Sequence, residues 1–219
     1  MNLREIAVLF AKDLKLEFRQ MAALNSILLY TVATLFICYL ALANAPEPST
    51  WSTLFWLILL FSATNAVSRS LYVEHNDCSL FYGTLVSPLS LILSRLLYNA
   101  LLSGVLSLLM YGLMCLLFGN PILQPLPFVI GLLLGALGFS SLLTFVTAIA
   151  YKAGRLFTLA AILGFPLMVP IILTTIEMTN TSMGIAGRFE MGPVLLILLL
   201  LDIIIVLLAC LLFPFLWKD

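Results

Sequence analysis

Charge is what this sequence has least of. Ten lysines and arginines and ten aspartates and glutamates make up 9% of 219 residues, against about 25% in a soluble domain. With 63% of residues hydrophobic, the chain is excluded from the soluble globular class and reads as an integral membrane protein. Its formal net charge of +0 leaves no basic surface for nucleic acid, whose binding depends on releasing counterions from phosphates. A single histidine, His75, and four scattered cysteines, Cys38, Cys78, Cys115 and Cys210, give no Cys-x-x-Cys pair and no disulfide framework. The "HExxH", "GxSxG" and "GxxxxGK[ST]" patterns are missing too. No internal repeat of the kind found in many secondary transporters is visible.

What is present is a series of long apolar runs. A helix needs about 20 apolar residues to cross about 30 Å of hydrocarbon. That measure predicts spans at Leu24–Ala43, Trp51–Ser68, Leu96–Phe118, Leu126–Ala150, Leu156–Ile176 and Pro193–Phe215, about six in all. With the N-terminus inside, the inner segments hold Arg4, Lys12, Lys15, Arg19, Arg69, Arg95, Lys152, Arg155 and Lys218, and only Arg188 lies outside. The excess of positive charge on cytoplasmic segments therefore predicts that both termini and residues 69–95 are cytoplasmic.

The expected fold class is an all-α membrane protein in a single domain, 1–219. An interfacial amphipathic helix over 1–22 precedes the spans, 70–94 form a cytoplasmic segment and 177–192 an outer loop. In the first helix Leu3, Ala7, Phe10, Leu14, Phe18 and Met21 recur at steps of three or four with charges on the other face; a solvated helix is the alternative. Acidic Glu5, Asp13 and Glu17 interrupt this stretch, so it is read as retained and not as a cleaved signal. The outer connections 44–50 and 119–125 read as proline-bearing turns, while the polar, glycine-containing 177–192 reads as a lid, a re-entrant element or a plain loop.

Polar residues inside the spans are few. Asp202 stands in the middle of "VLLILLLLDIIIVLLACLLF", where an acid costs about 2.5–3.5 kcal/mol on the insertion scale. It is a candidate proton, ion or substrate contact, or else a structural acid facing a neighbouring helix. Pro166 and Pro170 each remove a backbone donor near Gly164 and make this stretch a candidate hinge or a static kink. Gly131, Gly135 and Gly138 permit close helix approach, within the chain or to a second copy of it.

The polar inner stretch "YVEHNDCSLFYGTLVSPL", 72–89, offers Glu74, His75, Asp77 and Cys78 as atoms a metal or an acid–base site could use. Nearly consecutive residues rarely enclose one ion, and no second histidine is present, so no metal and no catalytic residue is assigned. An integral membrane enzyme using Glu74, His75 and Asp77 remains the alternative from another class. A mechanical role suits the stretch better. Asp77 can cap a short helix bearing an apolar ridge of Leu80, Phe81 and Leu85 that needs a partner or a lipid surface. Ser87 and Pro88 read as cap and first residue of the next helix, with Arg69 and Arg95 as snorkelling anchors at the membrane surface.

Four stretches then carry a resemblance: "DLKLEFRQ" (13–20), "DCSLFYGTLVSPLSLILSR" (77–95), "AYKAGR" (150–155) and "LGFPLMVPIIL" (163–173). With the order of spans they resemble the ABC-2 class of transporter permeases, and within it the cytochrome c maturation permease, heme exporter protein B. The chain departs from that family at Cys78, where glycine is usual, and at Phe81, where glutamate is frequent. The resemblance implies a non-catalytic permease subunit of the bacterial inner membrane, multi-pass, that couples ATP hydrolysis by a separate ABC ATPase to heme delivery or to release of a heme-loaded chaperone. It implies ATPase coupling through Asp77, Ser79, Leu80, Phe81, Gly83, Leu85, Ser87 and Pro88. Implied partners are the ATPase, a heme-handling membrane protein with a tryptophan-rich motif, a second copy of the chain and the lipid bilayer. No cofactor is expected on this chain; ATP and magnesium belong to the ATPase, and heme is the substrate of the system. An ABC-2 exporter for a lipid-linked glycan or drug-like molecule is the alternative within the class.

Overall fold

The computed structural model describes residues 3–19, 21–42, 46–72, 87–152, 156–185 and 190–218, without the side chains of 3, 17–18, 21–24, 68–72, 151–152, 156–161 and 215–218. Every regular element in the described residues is an α-helix: α1 Leu3–Arg19, α2 Met21–Ala41, α3 Pro48–Tyr72, α4 Pro88–Phe118, α5 Pro125–Lys152, α6 Leu156–Ser182 and α7 Met191–Lys218. Proline is the first residue of α3, α4 and α5, the position where its missing N–H costs nothing and its fixed φ already suits the helix. Gly119 ends α4 at φ 83°, its N–H donating to the Cys115 carbonyl at 3.0 Å, a backbone region where glycine carries no Cβ penalty.

Five stretches are long and apolar enough to cross a membrane: Pro48–Val67, Pro88–Phe118, Pro125–Ala150, Ile162–Ser182 and Met191–Pro214. A shorter apolar helix, Asn25–Ala41, belongs to α2. At 21 residues without a charged side chain, α2 as a whole reaches about 31 Å, enough for a sixth crossing. The chain is thus a multi-pass membrane protein with α5 at its centre, packed against α3, α4, α6 and α7. Every residue from Gly138 to Ala148 is buried.

Glycine lets the neighbours approach α5 so closely. A Cβ at Gly131 would stand 2.6 Å from the terminal methyl of Met178, one at Gly135 would stand 2.7 Å from the Trp56 ring and 2.8 Å from Thr175, and one at Gly138 would stand 2.6 Å from Asp202 Oδ1. All three glycines therefore serve packing within the chain. The Trp56 ring cannot withdraw. Its indole N–H donates to Thr179 Oγ1 at 2.8 Å, and it packs edge-to-face with Phe55 and Phe139 at centroid distances of 5.2 and 5.9 Å.

Residues 177–182, expected in the outer loop, are instead the last turns of α6. Polarity suggested a loop, but these side chains satisfy themselves on the helix. Thr179, Thr181 and Ser182 donate to the carbonyls of Thr175, Glu177 and Thr179 at 2.9, 2.8 and 2.6 Å, and Asn180 Oδ1 accepts from Ser52 on α3 at 2.9 Å. A helix that absorbs its hydroxyls in this way can be polar inside a membrane. The helix is left at Gly184, at φ 75°, and α7 begins at Met191.

The packing orders the glycines. Gly135→Ala is expected to destabilise the protein by about 1–3 kcal/mol because rigid Trp56 and Thr175 block the new methyl. Gly131→Ala is expected to cost less, since the flexible Met178 can give way. Thermal unfolding of both variants in mild detergent checks the order.

Candidate functional site

The start of α4 is held by α1. Ser87 caps α4 in an extended conformation, φ −67° and ψ 138°, and its side chain accepts the Ser90 N–H at 3.4 Å; the Ser87 and Pro88 reading of the sequence is the observed geometry. The Ser87 hydroxyl also donates to Glu5 Oε2 on α1 at 3.3 Å. Two turns further along both helices, Arg95 Nε lies 3.7 Å from Asp13 Oδ2, and Lys12 Nζ lies 3.2 Å from Asp13 Oδ1. The two ties are each eight residues apart on both helices, so α1 runs alongside the first turns of α4 in the same direction.

That arrangement corrects the expectation for two charges. Arg95, expected as a snorkelling anchor, is buried at 6% relative exposure, and Asp13, expected among the outward charges, at 7%. Each neutralises the other in a place that water barely reaches, a geometry in which an ion pair is screened far less than at a surface. The α1 face toward the protein is Ile6, Leu9 and Asp13, beside the apolar stripe of the sequence, of which Ala7 is exposed and Phe10 and Leu14 are half-buried. Val8, Ala11, Lys15, Leu16 and Arg19 are exposed and form an outward apolar and basic face of α1.

The second polar place is Asp202. The inward residues of α7 are Val194, Leu198, Asp202, Ile205, Ala209 and Phe213, steps of three or four along one face. Asp202 is 4% exposed, neither carboxyl oxygen has a hydrogen-bond partner, and it occupies the space that a side chain at Gly138 would fill.

On α4, Arg95, Asn99, Ser103 and Ser107 follow at steps of four and are all buried. Asn99 donates through Nδ2 to Thr144 Oγ1 on α5 at 2.8 Å, while Asn99 Oδ1 and Ser103 Oγ have no partner. Sequence reasoning missed this stripe, although its signal is present as polar residues at every fourth position of an otherwise apolar run.

Gly164, Pro166 and Pro170 lie within a continuous α6. Gly164 is buried against Val146, and both prolines face outward. Asp77, Ser79, Leu80, Phe81, Gly83 and Leu85, with Glu74, His75 and Cys78, lie outside the described residues.

Long apolar helices around a glycine-packed centre, with one amphipathic helix clamped to the end of a span, define a multi-pass α-helical membrane protein. A family model described as CcmB protein matches residues 4–216. The chain belongs to that family, heme exporter protein B, a transport component of cytochrome c biogenesis. No curated protein matches it.

Two outcomes follow from the geometry. In a double-mutant cycle of Asp13→Ala and Arg95→Ala, the combined loss of stability is expected to fall short of the sum by about 0.5–3 kcal/mol, measured by thermal unfolding of the full chain. Gly138→Ala drives a methyl into the Asp202 carboxyl and is expected to cost about 1–3 kcal/mol. Shortening the acid in Gly138→Ala/Asp202→Ala should return part of that loss in the same measurement.

Proposed function

We propose that this chain is the permease subunit of an ABC-type complex for cytochrome c maturation in the bacterial inner membrane, and that the α1–α4 end is cytoplasmic and receives the motion of a separate ATPase. Hydrolysis there would serve heme delivery or the release of a heme-loaded chaperone, with a heme-handling membrane protein in the same complex. Family membership supports the transport role in cytochrome c biogenesis. The cytoplasmic side rests on the distribution of lysine and arginine, nine of which fall on the segments that the sequence predicts to lie inside and one, Arg188, on a segment predicted to lie outside.

The observation that carries the coupling reading is the double tie of α1 to α4, Ser87 to Glu5 and Arg95 to Asp13. The expected cytoplasmic segment 70–94 takes in the last residues of α3 and the first turns of α4, so only 73–87 connect the two helices, and they enter α4 at this clamp. A push on a segment that ends in a clamped helix is passed to the span instead of being absorbed locally. Differential contact with two states of an ATPase is what such energy transfer requires. In this reading Leu80, Phe81 and Leu85 seat in a groove of the ATPase, Asp77, Ser79 and Gly83 shape the short element that bears them, and this chain performs no catalysis.

Purifying the chain with its ATPase after Leu80→Glu and Leu85→Glu is the test. Loss of co-purification and of stimulated ATP hydrolysis is expected; if both persist unchanged, the docking role of this segment is wrong.

A further inference from the structure

Helices α1 and α2 follow α4 from its first turn to its last. Glu5 meets Ser87 and Asp13 meets Arg95. Further along, Ile27 shares a buried apolar cluster with Leu106, and the Tyr39 ring meets the Phe118 ring edge-on at a centroid distance of 5.5 Å. The steps between these contacts are nearly equal on the two sides, so a height on α4 can be read across to α1. About 20 residues of helix cover the hydrocarbon. Counted from Phe118, where α4 ends, they reach back to Tyr98, one turn beyond Arg95. One turn beyond the Asp13 end of the same ion pair, that height falls at Leu16, with Lys15 and Arg19 on either side of it.

Packing also sorts the charges of α1. Glu5 and Asp13 are both bound toward α4, Asp13 between Arg95 and Lys12. That trio holds two cations and one acid, so it leaves positive charge at the edge of the membrane. Lys15, Leu16 and Arg19 point away from α4 and are exposed, and among the described side chains of α1 no acid is exposed beside them. A cationic face at this height meets the phosphates of the inner leaflet, whose negative surface attracts lysine and arginine beside a span. An acidic protein surface suits the place less well. Leu16, 40% exposed, stands at the hydrocarbon edge, where a soluble partner does not reach and the first carbons of an acyl chain do.

We propose that Lys15 and Arg19 hold the phosphate of an anionic phospholipid of the phosphatidylglycerol type, with Leu16 against its acyl chain, and that this lipid fixes the depth of the α1–α4 clamp. Lysine supplies a point charge, and the planar fork of arginine can take two phosphate oxygens at once. A zwitterionic headgroup brings its own cation to the same place and gains little there. The inference rests on the cytoplasmic orientation proposed above but not on how the ATPase docks, and lipid binding is read on the chain alone.

For the test, the full chain in mild detergent is titrated with phosphatidylglycerol and, separately, with phosphatidylcholine of the same acyl chains, and bound lipid is counted by native mass spectrometry. Phosphatidylglycerol is expected to bind more tightly. Lys15→Gln/Arg19→Gln, which leaves the Glu5–Ser87 and Asp13–Arg95 ties in place, is expected to weaken it by about 10- to 30-fold with phosphatidylcholine unaffected. Should that variant not fold, Lys15→Gln and Arg19→Gln are read singly, each with a loss of about fivefold. Arg4→Gln removes an exposed cation of the same helix about 18 Å from Leu16, on the side away from the hydrocarbon, and is expected to keep the preference. Equal affinity of the unaltered chain for the two lipids overturns the proposal. So does a preference that survives loss of Lys15 and Arg19, or one lost as fully in Arg4→Gln, since overall charge and not a site is then responsible. A double variant that keeps the preference and instead loses its ATPase on co-purification marks this face as a protein-docking surface and overturns the proposal as well.

Discussion

Hydrocarbon offers no hydrogen bonds, and the arrangement of this protein follows from having to satisfy its polar groups internally. Threonines and serines on α5 and α6 return their hydroxyls to carbonyls of their own helix, as Thr144 does to Ser140 at 2.6 Å and Thr175 to Ile172 at 2.9 Å. Other polar groups meet across helices. Thr31 bonds Ser62 between α2 and α3, Trp56 bonds Thr179 between α3 and α6, and Asn99 bonds Thr144 between α4 and α5. These bonds are short-range, so the helices must be close, and Gly131, Gly135 and Gly138 on α5 provide that closeness. Among the described residues the internal supply runs out at Trp51 Nε1, Asn99 Oδ1, Ser103 Oγ and the Asp202 carboxyl.

Much of this architecture was legible in the sequence because a membrane sets a simple rule of length. The apolar runs, the Ser87–Pro88 start of α4 and the amphipathic helix ahead of the spans all correspond to local rules. Which face of each span turns inward was not legible. In a soluble helix the outward face is polar and reveals the periodicity, but lipid accepts leucine as readily as the protein interior does. On α7, Leu196, Leu200, Ile203, Leu207 and Leu211 are exposed while Leu198 and Ile205 are buried, and nothing in their chemistry distinguishes the two groups. The polar residues on α4 did carry the information, since Arg95, Asn99, Ser103 and Ser107 mark its inward face.

Charge was the other point where local reading failed. Arg95 lies where a span meets the membrane surface, so a snorkelling side chain was the natural expectation. Its actual partner, Asp13, is 82 residues earlier in the chain, and no window that covers one helix can contain both. The amphipathic pattern of α1 likewise describes a helix without neighbours. The presence of α4 alongside adds a second face, Ile6, Leu9 and Asp13, and gives the helix a fixed place against the start of a span.

Helix α4 has 31 residues, about 46 Å at 1.5 Å per residue, well beyond the hydrocarbon it crosses, and its only proline is the first residue. One end is clamped to α1. The other ends at Gly119, and the connection after it is fastened to α6 through the N–H groups of Leu123 and Gln124, which donate to the Ser182 carbonyl at 3.0 and 3.1 Å. Between them the helix rests on α5. With no proline after its first residue and with both ends fastened, the helix is a strut that sets the distance between the α1 clamp and the α6 connection.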